Sequence, residues 1–191
     1  MKVHFKTPQK TLVKAVFLDR DGTINNNQTG YTYKINDFVC LPGVIESLVK
    51  FSKTSYKIII LTNQSGIGRK YFSFSQFHKL NNWMLKEFKK NNVRIDKVFF
   101  CPHHPQNNCS CRKPKPGLII QAVQTFGISL EESWLIGDDE RDIILAKTVN
   151  LRSIKIGAKI SRKLKLEPNY YVKNLPEALD IITNQDRLSL L

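Results

Sequence analysis

The chain has 191 residues, 41% of them hydrophobic and 10% aromatic, which excludes general disorder and suffices for a core held without disulfides. Thirty Lys and Arg against 16 Asp and Glu give a net charge of +14, which favours anionic partners: phosphorylated metabolites, nucleic acid or an anionic membrane surface. No apolar run approaches the ~20 residues of a membrane helix, and the stretch before Asp19 has no uninterrupted apolar h-region, so a soluble cytoplasmic protein is expected.

Short apolar runs alternate with helical patterns. Ala15 to Leu18 reads as a buried strand, and Val44, Ile45, Leu48 and Val49 follow at helical spacing behind Pro42-Gly43. Ile58 to Leu61 is the second strand. Phe74, Phe77, Met84, Leu85 and Phe88 mark an amphipathic helix, with Ser73 and Gln76 placed as a capping box. Val98 to Phe100 is the third strand. A helix is expected from about Pro116 to Phe126, with Gly127 just past its end. Trp134 to Ile136 is the fourth strand, followed by a helix from about Asp139. Leu151 to Ile156 is the fifth strand, Tyr170 to Val172 a short sixth, and Leu175 to Ile182 the last helix.

Continuous apolar strands alternating with helices predict an α/β fold, a parallel sheet covered on both faces in a Rossmann-like three-layer arrangement. One domain over residues 1–184 is expected, with 185–191 fraying. No large cap domain is visible. Residues 101–115 lack apolar periodicity and are too long for an ordinary connection, which predicts a functional loop. The segment from Ile143 to Leu166 holds seven basic residues (Lys147, Arg152, Lys155, Lys159, Arg162, Lys163 and Lys165) and no acid, and reads as a solvated basic loop.

The polar clusters recur at one place, after each strand, where open parallel sheets bind their ligands. Asp19 and Asp21 lie two apart in chain leaving the first strand, so both point one way and can hold Mg²⁺, a hard cation that prefers oxygen. One carboxylate can then attack phosphorus while the other moves protons. Asp138, after the fourth strand, adds a third carboxylate. Asp139, Glu140 and Asp142 crowd beside it, where acids in a first helical turn also answer the helix dipole. Thr62 and Asn63 offer a hydroxyl and an amide, and Ser65-Gly66 offers backbone N–H groups that cradle phosphate oxygens. Arg112 supplies a bidentate fork and Lys113 a compact cation. Three of the four cysteines fall within eleven residues. Cys101, His103, Cys109 and Cys111 have the spacing of a closed structural Zn²⁺ site, with His104 as the competing ligand.

FLDRDGTI, LTNQSGIGR, CPHHP, CSCRKPKPG and IGDDERD together resemble the haloacid dehalogenase superfamily, and more narrowly its small zinc-loop branch, which holds heptose bisphosphate phosphatases and the histidinol-phosphate phosphatase domain. The resemblance covers about residues 14 to 158. It implies a Mg²⁺-dependent phosphatase with Asp19 as nucleophile, Asp21 as general acid/base, Thr62 and Lys113 steadying the phosphoryl group, and Asp19, Asp21 and Asp138 holding the metal. It also implies substrate contacts from Gly30, Tyr31, Asn63, Gln64, Ser65 and Arg112. Gly30-Tyr31 and CRKPKPG look more like the heptose enzymes, which makes a heptose bisphosphate the expected substrate. One departure stands out: the position after the metal-binding Asp is commonly Lys in those enzymes and is Asp139 here. Asp139 is expected on the leaving-group side, accepting from sugar hydroxyls or pairing with Arg112 or Lys113. Histidinol phosphate, a DNA 3′-phosphate, and a zinc-containing nucleic-acid-binding module are the alternatives. The partner expected is a small sugar phosphate, bound by a monomer, with neither nucleic acid nor membrane involved.

Overall fold

The structure is a computed structural model that describes residues 12–27, 30–159 and 166–188. Among these, six strands form one sheet in the order β3-β2-β1-β4-β5-β6, and every pairing is parallel. The strands are β1 (Ala15–Leu18), β2 (Lys57–Asn63), β3 (Lys97–Cys101), β4 (Trp134–Gly137), β5 (Arg152–Ile156) and β6 (Tyr170–Val172). The helices are α1 (Val44–Phe51), α2 (Ser65–Gly68), α3 (Phe74–Lys90), α4 (Gly117–Phe126), α5 (Glu140–Thr148) and α6 (Leu175–Leu188).

Strand alternation divides the core between the two faces. Val16, Leu18, Ile58, Ile60, Trp134, Ile136 and Ile154 pack against Val44 and Leu48 of α1, Leu80, Met84 and Phe88 of α3, and Ala178, Leu179 and Ile182 of α6. Ala15, Phe17, Ile59, Leu61 and Leu135 face Leu118, Ile119 and Ala122 of α4 and Leu145 and Ala146 of α5. Both faces of the central strands are therefore apolar, which is why they read as unbroken hydrophobic runs.

The expected capping box is present: Gln76 N donates to Ser73 Oγ (3.1 Å), and Ser73 N donates to Gln76 Oε1 (2.9 Å). Gly127 ends α4 in the left-handed conformation, with φ 68°. Two expectations need correction. Of the expected tail 185–191, the helix continues to Leu188, with Asp186 accepting from Tyr56 Oη (3.0 Å) and Lys14 Nζ (3.3 Å), and 189–191 lie outside the described residues. The basic segment is not a solvated loop throughout. Arg152 and Lys155 lie on β5, and Lys155 is buried, while Arg162, Lys163 and Lys165 lie outside the described residues.

Chain order reverses between β1 and β4, and a crevice opens at the carboxyl ends of such neighbours. The Asp19 amide donates to Ile136 O (2.9 Å), so the residue leaving β1 is pinned beside the end of β4. This places Asp19 and Asp138 side by side.

Candidate active site

The crevice is a cavity of about 230 Å³. Asp19, Asp21, Thr62, Lys113, Asp138 and Asp142 form one part of its wall, and Gly30, Tyr31, Arg112, Asp139 and Arg141 another.

Lys113 is the centre of the first part. Its side chain is almost fully buried, and its Nζ lies 2.9 Å from Asp19 Oδ1, 2.7 Å from Asp142 Oδ1 and 2.9 Å from Leu61 O, to which it donates. Burial opposes the charge of this lysine, but Asp142 and Asp19 hold its pKa above the ordinary value. Its backbone is clamped in both directions by Asn63: Lys113 N donates to Asn63 Oδ1 (3.0 Å), and Asn63 Nδ2 donates to Lys113 O (3.1 Å).

Three carboxylates, from Asp19, Asp138 and Asp142, present oxygens within 4.8 Å of one another. Burial is the main cause that raises each: Asp19 to about 7, against the pull of Lys113, Asp138 to about 6, and Asp142 upward as well. One lysine cannot balance three carboxylates, one buried and two half-buried. The donor set, all hard oxygen, fits a divalent cation such as Mg²⁺. Two glycines make the crowding possible. A side chain on Gly22, at φ 90°, would strike Asp138, and one on Gly137 would strike Asp142. Of the expected Mg²⁺ set Asp19, Asp21 and Asp138, the structure gathers the carboxylates of Asp19 and Asp138, with Asp142 beside them on Lys113, and turns the Asp21 carboxylate to other partners.

Asp21 is held instead by a separate set of donors. Arg20, fully buried, gives Nη2 to both oxygens (3.0 and 2.8 Å) and Nε to Oδ1 (3.2 Å). Asn25 Nδ2 donates to Oδ1 (3.0 Å) and Gln64 Nε2 to Oδ2 (2.8 Å). The same Gln64 amide donates to Thr62 Oγ1 (2.8 Å). Gln64 is thus buried and committed to Asp21 and Thr62, and Asn63 to Lys113. Both were expected to contact substrate; both line the cavity, and both also position other residues of its wall. Ser65 Oγ lies 3.4 Å from Tyr31 Oη, and the Tyr31 ring packs edge-on against Tyr71 and Phe72. Gly30, at φ 76°, precedes it at the rim.

Asp139 caps α5, its Oδ1 accepting from Arg141 N (2.8 Å). The pairing partner is neither Arg112 nor Lys113 but Arg141, whose Nε and Nη2 bind the two carboxylate oxygens at 2.8 and 2.7 Å. These hydrogen bonds hold the Asp139 carboxyl down at about 2. Lys155 is another residue that its sequence context concealed. Its Nζ donates to Asp138 O (2.6 Å) and Ile156 O (2.9 Å), fixing the turn that carries Asp138. The β4–β5 register sets Lys155 opposite Gly137, so strand pairing was the signal that could have found it.

The Cys/His cluster lies in the loop after β3. Cys101 Sγ is 3.5 Å from Cys109 Sγ and 3.6 Å from His103 Nδ1, and Cys111 Sγ is 3.2 Å from His103 Nδ1 and 3.6 Å from Cys109 Sγ. Four ligands at ~2.0–2.3 Å around tetrahedral zinc would lie about 3.3–3.8 Å apart, so the set fits that ion. Burial works to raise all three thiols; hydrogen bonds from Cys101 and the Arg112 backbone bring Cys109 down to about 7, while Cys101 and Cys111 stay raised. His104 stands outside this group: its Nδ1 accepts from Gln106 N (3.2 Å) and caps the 3₁₀ turn Pro105–Asn107. The loop packs on α2, where any side chain on Gly68 would meet the backbone of residues 102–104, and Gly68 N donates to Pro102 O (2.8 Å). Arg112 and Lys113 follow the last cysteine directly.

Among the described residues no helix is long and apolar enough to cross a membrane. A family model described as HAD-hydrolase-like matches residues 110–178. The chain is 35% identical over 178 residues to D-glycero-β-D-manno-heptose-1,7-bisphosphate 7-phosphatase of Pasteurella multocida, covering 88% of this chain and 96% of that one. It is 38% identical over 175 residues to D-glycero-α-D-manno-heptose-1,7-bisphosphate 7-phosphatase of Campylobacter jejuni, covering 91% and 98%. The fold is shared with the crystal structure of D,D-heptose 1,7-bisphosphate phosphatase from B. bronchiseptica complexed with magnesium and phosphate, at a TM-score of 0.82, 24% identity, and coverage of 90% and 99%. The identity to these relatives over almost their whole length, with the carboxylates assembled at the β1–β4 crevice, places the chain in the D-glycero-D-manno-heptose 1,7-bisphosphate 7-phosphatase family of haloacid dehalogenase-like hydrolases.

Proposed function

We propose that this chain is a Mg²⁺-dependent phosphomonoesterase that removes the 7-phosphate of a D-glycero-D-manno-heptose 1,7-bisphosphate, on the route to nucleotide-activated heptose for surface glycans. The observation that carries the reading is the buried Lys113 between Asp19 and Asp142, in a cavity where three carboxylates converge. The near full-length relatives named for this activity supply the substrate class.

Asp19 attacks phosphorus in line. The bond between phosphorus and the sugar oxygen breaks, and Asp21 gives its proton to that oxygen. Water then attacks the phosphorus of the aspartyl-phosphate, Asp21 takes the water's proton, and inorganic phosphate leaves with Asp19 restored. Arg20, Asn25 and Gln64 aim Asp21 at this task. Lys113 favours the ionised, nucleophilic form of Asp19 and, with the Thr62 hydroxyl, faces the charge that grows on the phosphoryl oxygens. Mg²⁺ held by Asp19, Asp138 and Asp142 would supply further neutralisation of that charge. Zn²⁺ at Cys101, His103, Cys109 and Cys111 would be structural, because four protein ligands leave no open position. The reading includes a monomer acting in the cytoplasm, with no nucleic acid partner.

The test is a phosphatase assay with Mg²⁺ over heptose 1,7-bisphosphate, histidinol phosphate and a 3′-phosphorylated oligonucleotide. Release of one phosphate from the bisphosphate, at a kcat/KM at least about tenfold above the other two, is expected. Preference for either of the others overturns the substrate assignment. No turnover of any, with salt-sensitive binding of the oligonucleotide, would favour the nucleic-acid-binding alternative.

A further inference from the structure

Arg112 and Arg141 line both the catalytic cavity and an adjoining groove of about 280 Å³ on the zinc-loop side. Arg112 Nη1 is buried with no hydrogen-bond partner among the described residues. Arg112 and Arg141 therefore present their positive charges along one shared wall. Asp139 grips Arg141 through two parallel hydrogen bonds and fixes its direction from the first turn of α5. Two planar forks thus line the same pair of cavities, and among the described residues only that of Arg141 has a carboxylate hydrogen-bonded to it. An anion with several acceptor oxygens suits both, and a phosphate matches guanidinium geometry.

We propose that Arg141 is a specificity-determining residue: held by Asp139, it acts with Arg112 to bind the substrate's second, non-reacting phosphate. This rests on the reading that the reacting phosphate sits at Asp19. Position 139 carries an acid, and the cation that faces the substrate comes from two residues further along. Asp139 is then a positioning residue. It also keeps the net charge of the clamp low enough that product, which retains the second phosphate, can leave.

The experiment compares the wild type with Arg141→Met and Arg141→Lys, all three checked for equal thermal stability. Kinetics are measured on heptose 1,7-bisphosphate and heptose 7-phosphate. For Arg141→Met the ratio of kcat/KM between bisphosphate and monophosphate should fall about tenfold, carried by KM, the size expected for one charge-assisted bidentate contact. Arg141→Lys, which keeps the charge and loses the fork, should recover part of the ratio. Equal losses on both substrates, or an unchanged ratio, overturns the inference. Calorimetric titration of each sugar phosphate into Asp19→Asn and Asp19→Asn/Arg141→Met protein, with Mg²⁺, reads the same clamp without turnover. A wild type that fails to hydrolyse the bisphosphate while the titration still shows the Arg141-dependent preference would fault the proposed reaction and leave the clamp standing. A titration with no such preference would overturn the clamp whatever the reaction.

Discussion

The carboxylate cluster at the β1–β4 crevice and the Cys/His cluster after β3 are both candidate metal sites, and they are built on opposite principles. Cys101, His103, Cys109 and Cys111 are close in sequence and close on one another, with ligand atoms 3.2–3.6 Å apart where the structure pairs them. Nothing in the loop demands a further group once an ion is in place. Asp19, Asp138 and Asp142 come from two distant turns and a helix, and they crowd around one buried lysine with more negative charge than it can balance. The loop is closed on itself and the crevice is a site left in deficit. The difference predicts that removing metal should act differently on the two regions.

Disabling the crevice should cost the most activity. Asp19→Asn keeps the shape of the side chain but makes it a poor nucleophile, and hydrolysis should drop by about a thousandfold or more. Activity within about tenfold of wild type, with contamination excluded, would break the distinction between the two sites. Lys113→Met should be felt in stability as well. It leaves Asp19 and Asp142 buried without their cation, and breaking a buried ion pair on one side costs about 3–5 kcal/mol. Denaturant unfolding without Mg²⁺ measures this, and added Mg²⁺ should return part of the loss, since it supplies the missing positive charge.

Removing metals separates the two regions. A mild chelator should abolish activity reversibly, with Mg²⁺ restoring it. Zinc should leave only under harsher treatment and take stability with it, because structural metal binding is coupled to folding. Metal analysis should find about one zinc per chain. Purified protein without zinc, with Cys101, Cys109 and Cys111 reacting freely with a thiol reagent, would refute the zinc site.

The smallest expected effect is on pH. Asp19 and Asp138 have folded-state pKa values of about 7 and 6, above the ordinary 3.8 of an unfolded chain. Their protonated forms favour the folded state, so this stabilisation is complete below about pH 4 and is lost as pH rises through 6 and 7. In metal-free protein Tm should therefore fall by a few degrees between about pH 5 and 8, and Mg²⁺ at pH 8 should reverse the fall. A flat Tm profile without metal would show that the carboxylates are not in deficit.

The gathering of Cys101, His103, Cys109 and Cys111 was legible in the sequence, because ligand spacing along the chain is itself the signal. His103 was preferred there over His104, which the structure gives to a helical cap. The strands, the capping box and the placing of Asp19, Thr62, Lys113 and Asp138 at strand ends were also legible, since periodicity and strand-end chemistry are local. What was hidden depends on contacts between distant turns. Asp142 lies one helical turn beyond Asp138, and its role follows from Gly137 vacating space for it. Arg20 reads as a linker between two aspartates yet is fully buried and holds Asp21. Lys155 was masked by the basic run around it, and only the pairing of β5 with β4 brings it to Asp138. Arg141 is an ordinary helix residue until Asp139 turns it toward the cavity.

The most direct test of the account is to find the phosphorylated residue. Enzyme is mixed with heptose 1,7-bisphosphate and Mg²⁺ and quenched in acid during turnover. The acyl phosphate is reduced with borohydride, and the tryptic peptides are read by mass spectrometry. The account predicts homoserine at position 19 and unmodified aspartate at positions 21, 138 and 142. Turnover that proceeds with Asp19 never modified, or with the label at another carboxylate, would contradict it.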